Sequence, residues 1–284
     1  MANEKKNKLV RMKTSEKQQA KVKIIEMTPK DAGKVPLCWC KDPNNECYQH
    51  KFQWIKKRMS EGLKVKMLNT PDDGIVGYIE YVPGEYAWRA VNSENYMFIH
   101  CIYMEKRCKG RGYGTLLIED CVKDAKKSKC RGVAVVTSSD SFMAGSGLFI
   151  KAGFVSVESS PPYELLVKKF KKAAPDPRFI VERERVLKRY KKGLTILAAD
   201  QCPMVPKCVK DIAEASRALG LKPKVVRVRS AKESRELPTP YGVFSIVYDG
   251  KLIAERPISG RRFINIMWDL NRGIFSTLEA SDQR

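Results

Sequence analysis

Histidine is scarce in this chain. His50 and His100 are the only two among 284 residues, so imidazole chemistry has just two places to sit. No apolar run approaches the ~18 residues of a membrane span, which excludes a membrane partner by that route. No apolar segment of the secretory kind opens the chain, which leads one to expect a cytoplasmic protein. Acidic residues are also in short supply, with 32 Asp/Glu against 54 Lys/Arg and a formal net charge of +22. A surface of that sign attracts phosphorylated small molecules, nucleic acid, ribosomes or acidic proteins. The interleaving of aromatic and basic residues that marks an RNA-recognition motif is missing, so sequence-specific nucleic-acid readout is weakly supported. Nine cysteines, an odd number, read as reduced thiols and not as a disulfide framework.

What is present is enough for a folded protein of two domains. Apolar residues make up 43% of the chain, and its length allows two cores. The positive charge is concentrated. Residues 1–60 hold 15 Lys/Arg against 6 Asp/Glu, giving +9, and residues 168–192 hold 11 against 3, giving +8. Residues 1–20 are lysine-rich without periodicity and read as a tail. A strand follows at 21–27, then a helix over 48–60 on the spacing of Phe52, Ile55 and Met59, stopped by Gly62. Strands at 63–68 and 75–82 flank the turn Pro71-Asp72-Asp73-Gly74.

The strand at 95–104 carries Met97-Phe98-Ile99-His100-Cys101-Ile102-Tyr103-Met104 and feeds the loop Lys109-Gly110-Arg111-Gly112-Tyr113-Gly114-Thr115. Such a loop, opening onto a helix, gathers free backbone N–H groups that suit a phosphate. Glycines at 110, 112 and 114 fit neither a P-loop, which needs Gly-Lys-Ser/Thr, nor the G-x-G-x-x-G of a dinucleotide fold. Beyond the loop come a helix with Leu117, Cys121, Val122 and Ala125 on one face, an apolar strand at 133–136, a short helix at 143–152 and closing strands at 154–170. The element order describes a mixed α/β domain.

The basic-x-x-G-x-G run from Lys109, together with Leu148-Phe149-Ile150-Lys151-Ala152-Gly153-Phe154 further on, resembles the GNAT superfamily of N-acetyltransferases over roughly residues 21–171. The family usually has Arg or Gln where this chain has Lys109. The resemblance implies acetyl-CoA as co-substrate and an amine as acceptor. It implies that the pyrophosphate lies on Lys109, Gly110, Arg111, Gly112, Tyr113, Gly114 and Thr115, and the pantetheine arm along Ile102, Tyr103 and Met104. His100 is the first candidate for the base that deprotonates the amine. Strict alternation would put it on the same side as Ile102. Glu80 and Glu85 are rival bases, and a structural hydrogen-bonded histidine is the alternative reading of His100. The family commonly supplies the proton for the departing thiolate from a tyrosine at the position that is Phe149 here, so solvent, Ser146 or another tyrosine must do it.

Residues 172–192 read as a basic linker. From 193 to 284 the pattern restarts as β-α-β-(α)-β-β-α, the order of a thioredoxin-like fold. This part resembles the YoaP-like domain found behind GNAT domains, through Cys202-Pro203-Met204-Val205-Pro206-Lys207 and Pro238-Thr239-Pro240-Tyr241-Gly242-Val243-Phe244. Cys202 falls at a strand-to-helix junction, where a thiol can be activated. The stripe through Val205, Cys208 and Val209 makes Cys208 a core residue. Pro238 or Pro240 is expected to be a cis-proline facing Cys202. Cys38, Trp39, Cys40, Cys47 and His50 make C-x-C-x6-C-x2-H, a spacing less typical of structural zinc than C-x2-C, and no metal is assigned. Two alternatives stand beside acetyl transfer. One is a CoA-binding protein without catalysis whose basic surface docks on RNA, a ribosome or an acidic partner. The other is a thiol or metal-handling module fused to an acetyltransferase.

Overall fold

The computed structural model describes residues 22–281 apart from Ala32, Lys34, Trp39 and Ser141, with the side chains of the last helix described as far as Leu270. The tail expected over 1–20 and the aromatic Trp39 lie outside the described residues. The chain divides into two compact units. One holds the residues up to Pro43, Ile55–Ala87 and Val91–Phe179; the other holds Asn44–Trp54, Trp88–Ala90 and the chain from Ile180 onward. The boundary differs from the one read in sequence: two short segments far upstream group with the C-terminal part.

In chain order the first elements are β1 (Lys23–Glu26), α1 (Glu46–Arg58), β2 (Lys64–Thr70), β3 (Gly74–Pro83), β4 (Val91–Asn92) and β5 (Met97–Met104). They continue with α2 (Tyr113–Lys127), β6 (Gly132–Ser138), α3 (Ser146–Lys151), β7 (Val155–Ser160), β8 (Tyr163–Lys169) and β9 (Arg178–Phe179). In the first unit seven strands form one sheet in the order β1-β2-β3-β5-β6-β8-β7. Every pairing is antiparallel except β5 with β6. Strand β6 is buried at every position, which its apolar run requires of a strand covered on both faces. The apolar stripe of α2, Leu117, Ile118, Cys121, Val122 and Ala125, packs on Ile79, Tyr81, Ile99, Val133 and Val135. The late helix is shorter than its apolar spacing suggests, because Gly145 is extended and α3 starts only at Ser146.

Beneath α2 the sheet holds a charged cluster. Asp124 accepts hydrogen bonds from Lys64 (2.9 Å) and from the Tyr81 hydroxyl (2.7 Å), with Lys66 at 3.5 Å. Burial alone would raise its pKa, but the Lys64 and Tyr81 hydrogen bonds and the charges of Lys64 and Lys66 outweigh it and hold the carboxyl below its ordinary value. A depressed carboxylate stabilises the fold above its unfolded pKa, and that contribution is lost as pH falls through the folded value. Asp124→Asn should therefore lower Tm near neutrality, by about 1–3 kcal/mol of stability, and flatten the loss of Tm below about pH 4. Circular dichroism melts against pH read both.

Gly84 has no room for a side chain: a Cβ there would lie 1.9 Å from the Ser93 carbonyl oxygen. Gly84→Ala forces main-chain movement and should cost about 3 kcal/mol or more, read as a fall in the denaturant midpoint at unchanged slope.

The second unit carries α4 (Arg183–Leu187), β10 (Leu194–Ala198), α5 (Val205–Ala218), β11 (Lys224–Arg227), α6 (Ala231–Arg235), β12 (Phe244–Tyr248), β13 (Lys251–Ala254) and α7 (Gly260–Ser281). Its sheet runs β11-β10-β12-β13, with β10 and β11 parallel and the other pairs antiparallel. Helix α7 packs on α5, where a Cβ on Gly260 would sit 2.9 Å from the Asp211 carbonyl oxygen. The expected cis-proline is not at Pro238 or Pro240. Among the described residues the cis peptide is Pro161–Pro162, and the turn at Pro238–Gly242 is built by Gly242 at φ +62° instead.

Candidate active site

The parting of two strands organises the first unit's site. β5 pairs with β6 only at Met97, Phe98 and Ile99, opposite Val133, Ala134 and Val135. Past Ile99 the ladder to β6 ends, while β5 stays paired to β3 as far as Met104 opposite Gly77. The β6-facing edge of Ile102–Met104 is thus open to a ligand that can add like a strand. At the point of parting, Ile99 pairs with Tyr81 and Cys101 with Glu80, so His100 is an extra residue, a β-bulge.

The bulge corrects the facing expected for His100. Ile99 and Ile102 both pack with the α2 core, and strict alternation is broken between them. His100 turns to the other face of the sheet, where its Nδ1 lies 3.4 Å from Glu80 Oε1, both side chains at 0% exposure. The two leading base candidates are therefore brought together. The third is not part of this pair: Glu85 is exposed and accepts the Asn95 N–H at 2.8 Å.

The same face carries Tyr78, whose hydroxyl hydrogen-bonds Cys101 Sγ at 3.5 Å. Burial above all, then the neighbouring Cys101, Cys38 and Glu80, pushes the Tyr78 hydroxyl well above its ordinary pKa. Tyr103 is raised too, by burial, by Cys38 and by Glu105, against Lys41. Cys101 and Tyr78 were not singled out in the sequence, because neither stands out in an apolar strand and their contact crosses two strands.

The glycine loop stands where β5 leads. Gly110 (φ +80°) and Gly112 (φ +79°) both take the left-handed backbone, which glycine allows at no steric cost. The first bond within α2 runs from the Leu116 N–H to the Gly112 carbonyl (3.2 Å), so the N–H groups of Tyr113, Gly114 and Thr115 have no acceptor inside the helix. Lys109, Gly110, Arg111 and Gly112 are exposed. The loop is braced from below: Arg107 bonds Asp73 and Glu105, and Lys41 bonds Glu105 at 2.7 Å. Those hydrogen bonds hold the Glu105 carboxyl below its usual range. Gly114 brings α2 close to α3, with Leu148 Cδ1 3.2 Å from where a Cβ would be. Phe149, at the position where a tyrosine was looked for, is fully buried and stacks edge-on to Phe154 at 5.5 Å.

In the second unit the thiols separate by role. Cys208 is buried, donates to the Ile258 carbonyl (3.0 Å), and burial pushes its thiol up to about 12. Cys202 is half-buried in the turn before α5. Nearby, His50 Nδ1 meets Asp200 Oδ1 at 3.1 Å, and Arg227 meets the same oxygen at 3.2 Å. The histidine of the C-x-C-x6-C-x2-H run is thus held by a carboxylate. Among the described residues no group of three or more His, Cys, Asp or Glu is arranged to hold a metal ion. No described helix is long and apolar enough to cross a membrane.

An open strand edge ending in a bulge, with a helix N-terminus at its outer end, suits a ligand that joins an extended arm to a phosphate. Residues 34–154 match the model of the acetyltransferase (GNAT) family. The uncharacterized N-acetyltransferase YoaP of Bacillus subtilis (strain 168) is 26% identical over 229 residues, 78% of this chain and 89% of that one. A Bacillus anthracis structure in complex with acetyl coenzyme A shares 20% identity over 38% of this chain and 63% of its own, with a TM-score of 0.32. YncA of Salmonella typhimurium, solved with its cofactor acetyl-CoA, shares 15% identity over 55% of this chain and 98% of its own, with a TM-score of 0.40.

Proposed function

We propose that the chain moves an acetyl group from acetyl-CoA to an amine by direct attack of the deprotonated amine on the thioester. The observation that carries this is the parting of β5 from β6 at a bulge, in line with the loop at Gly110–Thr115. The N–H groups of Tyr113, Gly114 and Thr115 hold the pyrophosphate, with Lys109 and Arg111 supplying charge. The open edge of Ile102, Tyr103 and Met104 aligns the pantetheine arm. The Glu80–His100 pair at the bulge takes the proton from the amine. An imidazole beside a carboxylate at the point where the strands part suits a base that must gain and lose a proton each cycle. The strand order and directions of the C-terminal unit support reading it as a thioredoxin-like domain.

Calorimetry with acetyl-CoA tests the binding, and thiol release over a panel of amines tests turnover. Heat of binding with no thiol release over the whole panel would favour the reading as a CoA-binding protein. The +22 charge supports that second reading: RNA affinity falling steeply with salt, without turnover, is its signature.

A further inference from the structure

We infer that Cys101 protonates the departing CoA thiolate, with the Tyr78 hydroxyl positioning its sulfur. The inference rests on the acetyl transfer proposed above and names its missing acid.

Breaking the thioester leaves an electron pair on the CoA sulfur, which needs a proton. On α3, Phe149 is a hydrocarbon sealed in the core, and the Ser146 hydroxyl is a far weaker acid than a thiol. The strand side offers a thiol. Cys101 is the first residue past the bulge, on the stretch of β5 that has parted from β6, and the residue is only half-buried. A pantetheine arm that runs inward along Met104, Tyr103 and Ile102 ends at this residue. The Tyr78 hydroxyl hydrogen-bonds the Cys101 sulfur.

The chemistry favours the thiol over the tyrosine as the donor itself. A cysteine thiol ionises at about 8.5, close to the thiol that leaves, so the proton passes between like partners with almost no thermodynamic cost. The Tyr78 hydroxyl is a weaker acid than usual in its buried place, and transfer from it would run uphill. It is better suited to stay protonated and stabilise a thiolate at Cys101.

The step balances. The amine nitrogen bonds the acetyl carbon, and its proton goes to the Glu80–His100 pair. The C–S bond breaks with its electrons on the CoA sulfur, which takes the Cys101 proton. Cys101 is left as a thiolate bonded to Tyr78. The adjacent His100 then returns the amine's proton to Cys101, and the site is reset with no net proton held.

The placement can be tested without knowing the acceptor. The mixed disulfide of CoA with thionitrobenzoate carries an electrophilic sulfur at the end of the pantetheine arm. With the full-length protein it should release yellow thionitrobenzoate and leave CoA on Cys101, as peptide mapping reads, and excess acetyl-CoA should suppress this. An adduct only at other cysteines, or one that acetyl-CoA does not suppress, overturns the inference. The kinetic arm uses an accepted amine from the panel. Cys101→Ala should lower kcat about 100-fold and remove the basic limb of its pH profile at an unchanged acetyl-CoA dissociation constant. Tyr78→Phe should lower kcat less and shift that limb. Unchanged kcat in Cys101→Ala, or an acetyl group found on Cys101 during turnover, overturns the role. Wild-type protein that binds no acetyl-CoA overturns the acetyl-transfer reading and this inference with it. Binding without an adduct at Cys101 overturns the inference alone.

Discussion

Gly112→Val will weaken acetyl-CoA binding about 100-fold or more while the protein still folds. Gly112 caps α2 at φ +79°, a backbone that costs a non-glycine residue about 1–2 kcal/mol and a β-branched one more. The position is exposed, so no core contact is lost. The strain is relieved by rotating the loop, and rotation turns the N–H groups of Tyr113 and Gly114 away from a common point. Losing two hydrogen bonds to a charged phosphate, at about 1.5–3 kcal/mol each, exceeds the ~2.7 kcal/mol of a hundredfold change. Gly110→Ala should do less, because a Cβ there meets no atom within 4 Å and only the φ of +80° resists it. Calorimetry reads the affinities and a thermal melt reads the fold. A Gly112→Val protein that binds as tightly as wild type would remove the loop from the site.

How much of this was legible in sequence depends on the kind of signal each feature leaves. The loop was legible because a left-handed backbone leaves a compositional mark: Gly110 and Gly112 are spaced as they are because the chain must turn there, and α2 announces itself by Leu117, Cys121, Val122 and Ala125. The bulge leaves no such mark. Met97 to Met104 reads as an even apolar strand, and an extra residue in it becomes visible only when its partner, β3, is in register beside it. One inserted residue reverses the facing of everything after it, which is why His100 and Ile102 were expected on one side and lie on two. Tyr78 and Cys101 were missed for the same reason, being 23 residues apart and joined only across the sheet. In the second unit the turn before β12 was expected to use a cis-proline, but Gly242 supplies its unusual backbone. A Cβ there would lie 2.7 Å from Arg89 Cα, a segment more than 150 residues upstream that no local pattern could bring to mind.

His100→Gln should separate the two readings of the buried pair. Glutamine keeps a polar side chain beside Glu80 but cannot gain and lose a proton. If the pair is the base, kcat falls by about 10²–10⁴, and the acidic limb of the pH profile disappears because no group on the enzyme need be deprotonated to accept the amine's proton. Acetyl-CoA affinity stays as it was, since His100 lies at the inner end of the open strand edge, away from where the pyrophosphate is held. If the pair is structural, the numbers reverse. Breaking a fully buried charged pair costs about 3–5 kcal/mol of stability, Tm drops, and the protein that remains folded turns over with an unaltered pH profile. Glu80→Gln sharpens the choice, for it leaves the imidazole in place and removes only the carboxylate 3.4 Å from it. In the catalytic case Glu80→Gln retains part of the activity with its acidic limb moved to lower pH, because His100 has lost the neighbouring charge that favoured its protonated form. Loss of activity in both variants in proportion to loss of folded protein would leave the amine to be deprotonated elsewhere.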